Sequence, residues 1–286
     1  MTHRTNSTLA CLPTIMLLAL PASAEIAADA PVRSIMDNSF LVEEAYNQEA
    51  GVVQHIFTAN YGVNRMSGPD DRALELAFTQ EWPLFSQTHQ IGFTAPYLFV
   101  ESGGQSADGF GDVLLNYRWQ ALFNEDTLTA LAPRFSLILP TGDESEGLGD
   151  DTLGYQFNLP FSTALDDRWS AHANAGLTFL PDAGASPSSD LLHYNVGASA
   201  IYACNERLHL MLEWVGTWEE SSTGSGTDRD FASVISPGAR YAFDCPNDAQ
   251  LVLGLAAPIG LNNNAPDIGV FFYLSFEHGF LTKSQE

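Results

Sequence analysis

The sequence has very little positive charge. Its 286 residues contain 11 Lys and Arg against 35 Asp and Glu, so the formal net charge is −24. Only one of these cations is a lysine, Lys283. A protein that binds nucleic acid needs clustered Lys and Arg to displace the counterions of the phosphate backbone. The composition therefore excludes nucleic acid as a partner.

Long apolar runs are also missing after the N-terminus. No stretch there approaches the roughly 18 apolar residues of a membrane-spanning helix, which excludes a helical membrane protein. Disorder is excluded too, because 45% of the residues are hydrophobic and 11% are aromatic. Two classes remain, namely a secreted soluble β domain and a membrane protein that spans the bilayer as a β-barrel.

Residues 1–24 have the pattern of a secretory signal peptide. An apolar run over residues 9–20 follows Arg4, and the sequence Ala22-Ser23-Ala24 supplies a small-x-small cleavage site. A lipid anchor is not predicted, because Cys11 lies inside the apolar run rather than at its end. We expect the exported chain to begin near residue 25.

Cysteine is scarce in the rest of the chain, where only Cys204 and Cys245 occur. In an oxidising compartment an even pair of cysteines usually forms a disulfide, so we predict one bridge between them. The alternative is two free buried thiols. There is no CxxC motif and no His/Cys cluster, so the sequence predicts no zinc site and no cofactor.

The chain from residue 52 onward repeats segments of about ten residues with alternating polarity. In the second segment, Leu74, Leu76 and Phe78 alternate with Glu75 and Thr79. Such a strand presents one face to hydrocarbon or a core and the other face to water. The twelve segments are 52–61, 72–82, 88–100, 110–120, 128–139, 153–164, 169–180, 191–203, 208–218, 230–243, 249–260 and 268–278.

The connections between these segments alternate in kind. Those predicted as long loops are rich in Gly, Ser, Asn and Asp and cover 62–71, 101–109, 140–152, 181–190, 219–229 and 261–267. The intervening connections are mostly short. Long extracellular loops and short periplasmic turns are typical of outer-membrane barrels.

Large aromatic residues give a second signal for a membrane barrel. Six of them lie at the short-turn end of a strand and on its apolar face, as expected for a girdle at a membrane interface. They are Trp82, Trp119, Trp169, Tyr202, Phe243 and Phe276. We predict an all-β fold, a single transmembrane antiparallel β-barrel of about 12 strands over residues 52–280, with both chain ends in the periplasm.

Several stretches resemble a known family. Residues 38–49 (NSFLVEEAYNQE) and 51–56 (GVVQHI) resemble the start of a large group of bacterial outer-membrane transporters associated with phenol-degradation (MetA-pathway) clusters. Residues 109–118 (GFGDVLLNYR) resemble a Gly-x-Gly-Asp strand of that family, and 133–142 (PRFSLILPTG) resemble another part of it. The resemblance implies an outer-membrane β-barrel with an uptake role for small molecules, with apolar or aromatic compounds as candidates.

Charged residues at inward-facing strand positions are candidates for lining a permeation path. The ones that we single out are Glu75, Asp112, Arg118, Arg134, His172, Glu213 and Arg240. Reflection about a turn near Asn124 predicts that Arg134 lies opposite or diagonal to Asp112. The functional interpretation is an eyelet that selects permeants by charge and size. The alternative is a set of ion pairs that fill a partly closed barrel and hold its shape.

Residues 25–51 precede the first strand and are acidic. As a periplasmic N-terminal segment they either hang free or fold into the lumen as a plug. The segment contains Phe40-Leu41-Val42 and Tyr46, which are more apolar than a free tail needs, so the sequence favours docking. A short C-terminal tail, 281–286, follows the barrel.

The sequence argues against two further activities, cation binding and lipid hydrolysis. The loop 140–152 is dense in carboxylates that could hold Ca²⁺ or bridge to lipopolysaccharide, but the spacing does not fit an EF-hand and favours a solvated anionic loop. Its acids are Asp143, Glu144, Glu146, Asp150 and Asp151.

A lipase-type enzyme needs a Ser beside a His with a polar third residue. The sequence near the histidines shows no such arrangement, so we predict that the protein is not an enzyme.

The sequence thus predicts a pore for passive uptake of small molecules in the outer membrane of a Gram-negative bacterium. The alternative is a closed structural or surface-interaction barrel. The expected partners are outer-membrane lipid and lipopolysaccharide, the barrel-assembly machinery and a small-molecule permeant. The acidic loops predict an anionic mouth that prefers cations or neutral solutes over anions.

Overall fold

The computed structural model describes residues 39–65, 70–183, 188–223 and 226–280. The predicted signal peptide, residues 25–38 and the predicted C-terminal tail lie outside the described residues. Across the described ranges, no helix has the length and apolar character needed to cross a membrane.

Twelve antiparallel strands, β1–β12, form the fold. Three of them are interrupted and continue in the same direction. The strands are β1 Val52–Asn64, β2 Asp71–Leu84, β3 Ser86–Ser102, β4 Gln105–Phe110 with Val113–Trp119 and Leu122–Asn124, β5 Thr129–Leu131 with Arg134–Leu139, β6 Gly154–Ala164, β7 Trp169–Ala183, β8 Ser189–Ala203, β9 Leu208–Ser222, β10 Thr227–Asp244, β11 Gln250–Ala256 with Ile259–Gly260, and β12 Ile268–Gly279. Each of the twelve predicted segments corresponds to one of these strands.

The sheet closes on itself. Each strand pairs with its neighbours in the sequence, and β12 pairs with β1 from Val52 opposite Gly279 to Val63 opposite Ile268. Closure places the backbone N–H and C=O groups of every strand between two partners, which is the condition for a sheet inside a bilayer. The predicted fold class, a twelve-stranded antiparallel barrel, is confirmed.

Polarity is inverted relative to a soluble protein. Outward-facing Leu212 and Trp119 are 49% and 48% exposed, whereas inward-facing Glu213 and Ser136 are fully buried. The alternation of the strands therefore puts apolar side chains on the outside and polar ones in the lumen, as expected for a barrel surrounded by lipid.

The two ends of the barrel differ. At one end, here called the turn end, the connections are Phe85 alone, 125–128, 165–168, 204–207 and 245–249. At the other, here called the loop end, residues 140–153 form the longest fully described connection and contain a single 3₁₀ turn, Glu144–Glu146.

Two predicted long loops, 101–109 and 219–229, are wrong because strands occupy most of each. In the second, β9 runs to Ser222 and β10 begins at Thr227. Residues 101–109 are mostly strand, because Ser102 pairs with Gln105 across a two-residue turn. The turn residues Gly103 and Gly104 have φ values of 59° and 80°, a left-handed conformation that glycine adopts without strain and that tight hairpin turns require. The strands β3 and β4 therefore extend well past the predicted membrane zone.

Candidate functional site in the barrel lumen

Residues 39–50, here called the inner segment, lie inside the barrel just before β1. The carboxylate of Glu213 on β9 accepts hydrogen bonds from three consecutive backbone N–H groups of this segment. Its Oε1 atom is 3.1 Å from the nitrogens of Phe40, Leu41 and Val42. A buried carboxylate surrounded by N–H donors gains charge-assisted hydrogen bonds, so Glu213 anchors the first half of the inner segment.

The second half of the inner segment follows the barrel wall. The Ala45 N–H donates to Ser162 Oγ on β6 at 2.8 Å, and the Gln48 N–H donates to Gln90 Oε1 on β3 at 2.7 Å. The inner segment has no strand partner, so side chains of the wall satisfy its buried backbone groups. Its contacts pass in turn from β9 to β6 and then to β3, which carries the segment across the lumen.

Glu43 is bonded to three side chains of the barrel wall. Arg134 Nε lies 2.9 Å from both carboxylate oxygens, Arg118 Nη1 lies 3.3 Å from Oε1, and Asn158 Nδ2 donates to Oε2 at 2.6 Å. Burial alone would raise the pKa of Glu43, but the charges of Arg134 and Arg118 outweigh it and the pKa is lowered. Glu43 is therefore an ionised carboxylate held by two cations.

Arg118 binds the inner segment at several points. Its side chain is only 3% exposed, and it donates to Asn47 Oδ1 at 2.9 Å, to the Tyr46 carbonyl at 3.0 Å and to the Glu44 carbonyl at 3.2 Å. Glu81 Oε2 on β2 lies 3.5 Å from the same guanidinium. The five donors of one arginine thus fix the path of the segment near the wall.

A serine, a histidine and a glutamate meet on the other side of the inner segment. His172 Nδ1 is 2.8 Å from Ser162 Oγ, and Glu44 Oε1 is 3.6 Å from His172 Nε2. The order resembles a hydrolase triad. All three residues are at most 4% exposed, and Ser162 Oγ already accepts the Ala45 N–H. A substrate carbonyl has no access to this hydroxyl, so we interpret the cluster as structural.

Aromatic packing holds the start of the inner segment. The Phe40 ring lies 5.4 Å from the rings of both Phe271 and Tyr273 on β12. The ring also lies against Gly254 and Gly238, where a Cβ atom would collide with it or approach it to 3.0 Å. Glycine at these two positions leaves the space that the ring occupies.

A polar cavity of about 240 Å³ lies between the inner segment and the wall formed by β1–β5 and β12. The charged groups that line it are Glu43, Glu81, Arg118 and Arg134. An apolar cavity of about 390 Å³ lies beside it toward the loop end. Leu41 lines both cavities, so this side chain stands where they meet.

The apolar cavity reaches across the lumen. Its lining comes from the inner segment, from β1–β3, from β9–β12 and from the loop before β12. The lining residues are Leu41, Asn60, Tyr61, Gly62, Ala73, Glu75, Leu98, Val215, Val234, Pro258, Pro266 and Gly269.

The predicted site residues fall into three groups. Arg118, Arg134 and Glu213 bond directly to the inner segment, and His172 and Arg240 each have a nitrogen 3.6 Å from Glu44. Glu75 lies apart from them in the apolar cavity. Asp112 is the third case, because it neither bonds to the inner segment nor lines the apolar cavity. The adjacent acids Glu43 and Glu44 face opposite walls of the barrel and were not predicted as site residues. The signal that could have found them is the alternation of side chains along an extended segment, which points neighbouring residues in opposite directions.

The predicted proximity of Arg134 and Asp112 is wrong. Arg134 pairs with Arg118, because the hairpin closes at Asn124 opposite Thr129 and its turn lies beyond the assumed position. Asp112 lies instead in an irregular part of β4, where its Oδ1 atom accepts the Gly142 N–H at 2.8 Å. Asp112 therefore fastens the loop 140–153 and does not contribute to a charged eyelet.

The structure does not contain the predicted disulfide. Cys204 and Cys245 are free thiols. They follow β8 and β10, and the strand between them, β9, separates their positions by about 10 Å at the usual spacing of strands. A disulfide needs Cα atoms within about 7 Å. At the spacing of the strands, the two turns are not bridged.

The acidic loop is ordered by hydrogen bonds of its own. Asp143 Oδ1 accepts both the N–H and the hydroxyl of Ser145, at 3.0 and 2.6 Å, and so caps the 3₁₀ turn. Within the ranges that the structure describes, no group of three or more His, Cys, Asp or Glu side chains could hold a metal ion. The predicted ligands Asp143, Glu144, Glu146, Asp150 and Asp151 therefore form no such group.

Comparison with known proteins places the chain in a family. A family model described as "Putative MetA-pathway of phenol degradation" matches residues 42–277. The chain belongs to this family. The match includes most of the inner segment together with the barrel, so the MetA-pathway family unit contains both. A search of curated proteins found no match.

Solved structures resemble this member of the MetA-pathway family in fold. The COG4313 outer membrane channel from Pseudomonas putida F1 has a TM-score of 0.63 at 15% identity, with 82% of this chain and 98% of that chain covered. The NanC porin has a TM-score of 0.47 at 8% identity, with 80% and 100% covered. The TodX monoaromatic hydrocarbon channel deltaS2 mutant has a TM-score of 0.39 at 10% identity, with 84% and 91% covered. The fold is that of outer-membrane barrels.

Proposed function

We propose that the protein is an outer-membrane channel for the passive uptake of small, mainly apolar molecules, and that the inner segment obstructs its lumen at rest. The observation that carries this proposal is the apolar cavity of about 390 Å³ inside the barrel. Ligand cavities of proteins have volumes of about 300–1,000 Å³. A barrel that serves only as a filled structural element has no need for such a space.

The route through the barrel follows from the order of the two cavities. A molecule that enters at the loop end reaches the apolar cavity first and meets Leu41 at its boundary with the polar cavity. Beyond Leu41 the inner segment crosses the lumen and is bonded to the wall. Movement of this segment is therefore the step that opens the path.

Single-channel recording in planar bilayers tests the proposal. The wild-type protein is expected to give small and infrequent current steps, and a variant lacking residues 39–50 is expected to give larger and lasting ones. Absence of current steps from both proteins, when both show heat-modifiable migration typical of a folded barrel, would refute the channel. Flux of toluene into proteoliposomes against that of glucose then tests the preference for apolar molecules.

A closed barrel is the second candidate. It is favoured by the other half of the lumen, where Glu213, His209 and Arg240 are at most 2% exposed. Ion pairs and hydrogen bonds that fill a lumen completely stabilise its shape without conducting. This candidate predicts that neither protein in the bilayer experiment conducts.

Export and assembly are part of the same proposal. A leader over residues 1–24 would direct the chain to the periplasm, where the barrel-assembly machinery would insert it among outer-membrane lipid and lipopolysaccharide. The protein would carry its loop end outward, and the acids of its loops would favour cations and neutral solutes over anions. Mass spectrometry of the outer-membrane form should give a chain that begins near residue 25, and the reversal potential in a salt gradient should indicate cation preference.

A further inference from the structure

Two histidines meet on the outer face of the barrel, at the seam where the first and last strands pair. His55 on β1 and His278 on β12 are 223 residues apart in the sequence, and their Nε2 atoms are 3.3 Å apart. The ring centroids are farther apart, at 5.4 Å with an interplanar angle of 19°, so the rings meet through their nitrogen edges. No spacing motif in the sequence reveals this pair, because closure of the barrel creates it.

The pair lies at the edge of the membrane zone. On β1, His55 alternates on the same face as the exposed Phe57. On β12, His278 shares its face with the exposed Phe272. His55 pairs with Phe276, a residue of the predicted aromatic girdle, and His278 lies two residues nearer the turn end. Both histidines are half-buried, so water at the membrane interface reaches them.

A hydrogen bond fixes the tautomer of His278. Its Nδ1 atom is 3.1 Å from the carbonyl oxygen of Gly279. A carbonyl oxygen only accepts, so Nδ1 carries the ring hydrogen and Nε2 presents its lone pair toward His55. Histidines that bind metal ions generally donate their second ring nitrogen in this way, which holds the ring in place and strengthens it as a ligand.

The separation of the two Nε2 atoms fits a shared metal ion. A tetrahedral Zn²⁺ ion binds histidine nitrogens at about 2.0–2.1 Å, which places two of them about 3.3–3.4 Å apart. Imidazole suits Zn²⁺, Cu²⁺ and Ni²⁺, whereas Mg²⁺ and Ca²⁺ take oxygen ligands. Among the described residues, no group of three or more His, Cys, Asp or Glu ligands is present. The two histidines are therefore the protein ligands, and water at the interface fills the other positions.

We propose that His55 and His278 form a binding site for one Zn²⁺ ion, or a similar divalent metal that prefers imidazole, on the outer face of the barrel. The bound ion bridges β1 and β12 beside Val52 and Gly279, the pair of residues at the turn end of the seam. It thus holds together the two strands whose pairing closes the sheet. This role is separate from uptake through the lumen.

Calorimetric titration of the protein with ZnCl₂ tests the site. The protein is used without an affinity tag in lipid nanodiscs, and empty nanodiscs are the blank. Excess Mg²⁺ in the buffer occupies the acidic loops, because a chain with a net charge of −24 attracts any divalent cation. We expect the wild type to bind one Zn²⁺ ion per chain under these conditions. Zn²⁺ should also raise its unfolding midpoint in urea, since a ligand of the folded state stabilises that state.

Three variants locate the ion. His55→Gln and His278→Gln each remove one ligand, so each should weaken Zn²⁺ binding by about tenfold or more and abolish the shift of the urea midpoint. His89→Gln is the matched control and should bind Zn²⁺ as the wild type does. His89 pairs with the outward-facing Trp119 near the same end of the barrel, but its Nδ1 atom is bonded to the Tyr117 hydroxyl at 2.7 Å. Heat-modifiable gel migration checks that each variant is folded.

A second measurement needs no variant. With one equivalent of Cu²⁺ in place of Zn²⁺, the electron paramagnetic resonance spectrum of the wild type should show coupling to two imidazole nitrogens. Coupling to fewer nitrogens, or no Zn²⁺ binding above the Mg²⁺ background, would overturn the site. Equal Zn²⁺ affinity in the wild type and in either folded variant of the pair would overturn it as well, because the ion would then lie elsewhere.

Discussion

Replacing Glu43 by glutamine should release the inner segment while leaving the barrel intact. The substitution keeps the size of the side chain but removes the charge that faces Arg134 and Arg118, whose nitrogens lie 2.9 and 3.3 Å from the carboxylate. Breaking a buried ion pair by removing one partner costs about 3–5 kcal/mol. Arg118 keeps Glu81 at 3.5 Å, so we take the lower value, about 3 kcal/mol.

This free energy acts on docking rather than on the fold, because Glu43 lies outside the strands. A loss of about 3 kcal/mol raises the ratio of undocked to docked segment roughly 100-fold. In planar bilayers we expect open events to become more frequent by about this factor at unchanged step size. Limited proteolysis from the periplasmic side should cut the inner segment of the variant faster than that of the wild type.

Glu49→Gln is the matched control, since this acid belongs to the same segment and its side chain is exposed. It should behave like the wild type in both assays. Glu43→Gln with wild-type gating and wild-type protease resistance would show that the two arginines do not hold the segment, and the assignment of residues 39–50 as the obstruction would fail.

Three further predictions follow from the lumen and the turns. Because the pKa of docked Glu43 is lowered, its contribution to docking is complete above the value of 4.5 for a free carboxyl and is lost as pH falls through the lower docked value, so the difference in open frequency between the wild type and Glu43→Gln should be constant from about pH 6 to 8 and shrink only in acid. Gly254→Val puts a side chain where the ring of the inner segment's phenylalanine lies, so it should raise the open frequency as Glu43→Gln does; a silent variant would contradict the packing. Cys204 and Cys245 should both react with a thiol reagent in the folded protein, and Cys245→Ser should leave the unfolding midpoint in urea unchanged. A protein whose mass is lower by two hydrogens than that of the reduced chain would contain a disulfide and would contradict this prediction.

The barrel could be predicted from the sequence because the alternating polarity of each strand is visible within that strand's own residues. A strand between lipid and lumen must alternate polarity at every residue, and Leu74 to Phe78 on β2 show this over five positions. Small residues weaken the signal, which is why the strand continuing through Ala107 and Gly109 was predicted as loop. The two glycines of the hairpin turn fitted a long loop as well as a tight turn.

The contents of the lumen could not be predicted in the same way. The partners Glu43 and Arg134 are 91 residues apart, and their meeting depends on the path of an aperiodic segment that has no repeat to follow. The predicted cross-strand partner of Asp112 depended on where one hairpin turn is centred. An error of a few residues in that centre changes every partner across the two strands. The inward direction of Arg118 and Glu213 was accessible from alternation, but their role as anchors of the inner segment was not.

The inner segment is joined to the barrel by a very short link. Val52 N–H bonds to the Glu49 carbonyl at 3.0 Å, and Gly51 turns the chain with a φ of 84° directly into β1. Twelve residues tethered at this point reach about 40 Å when fully extended. A released segment therefore stays at the mouth of its own barrel at an effective concentration in the millimolar range. In the proposed channel, re-entry would be an intramolecular event that limits the length of each opening.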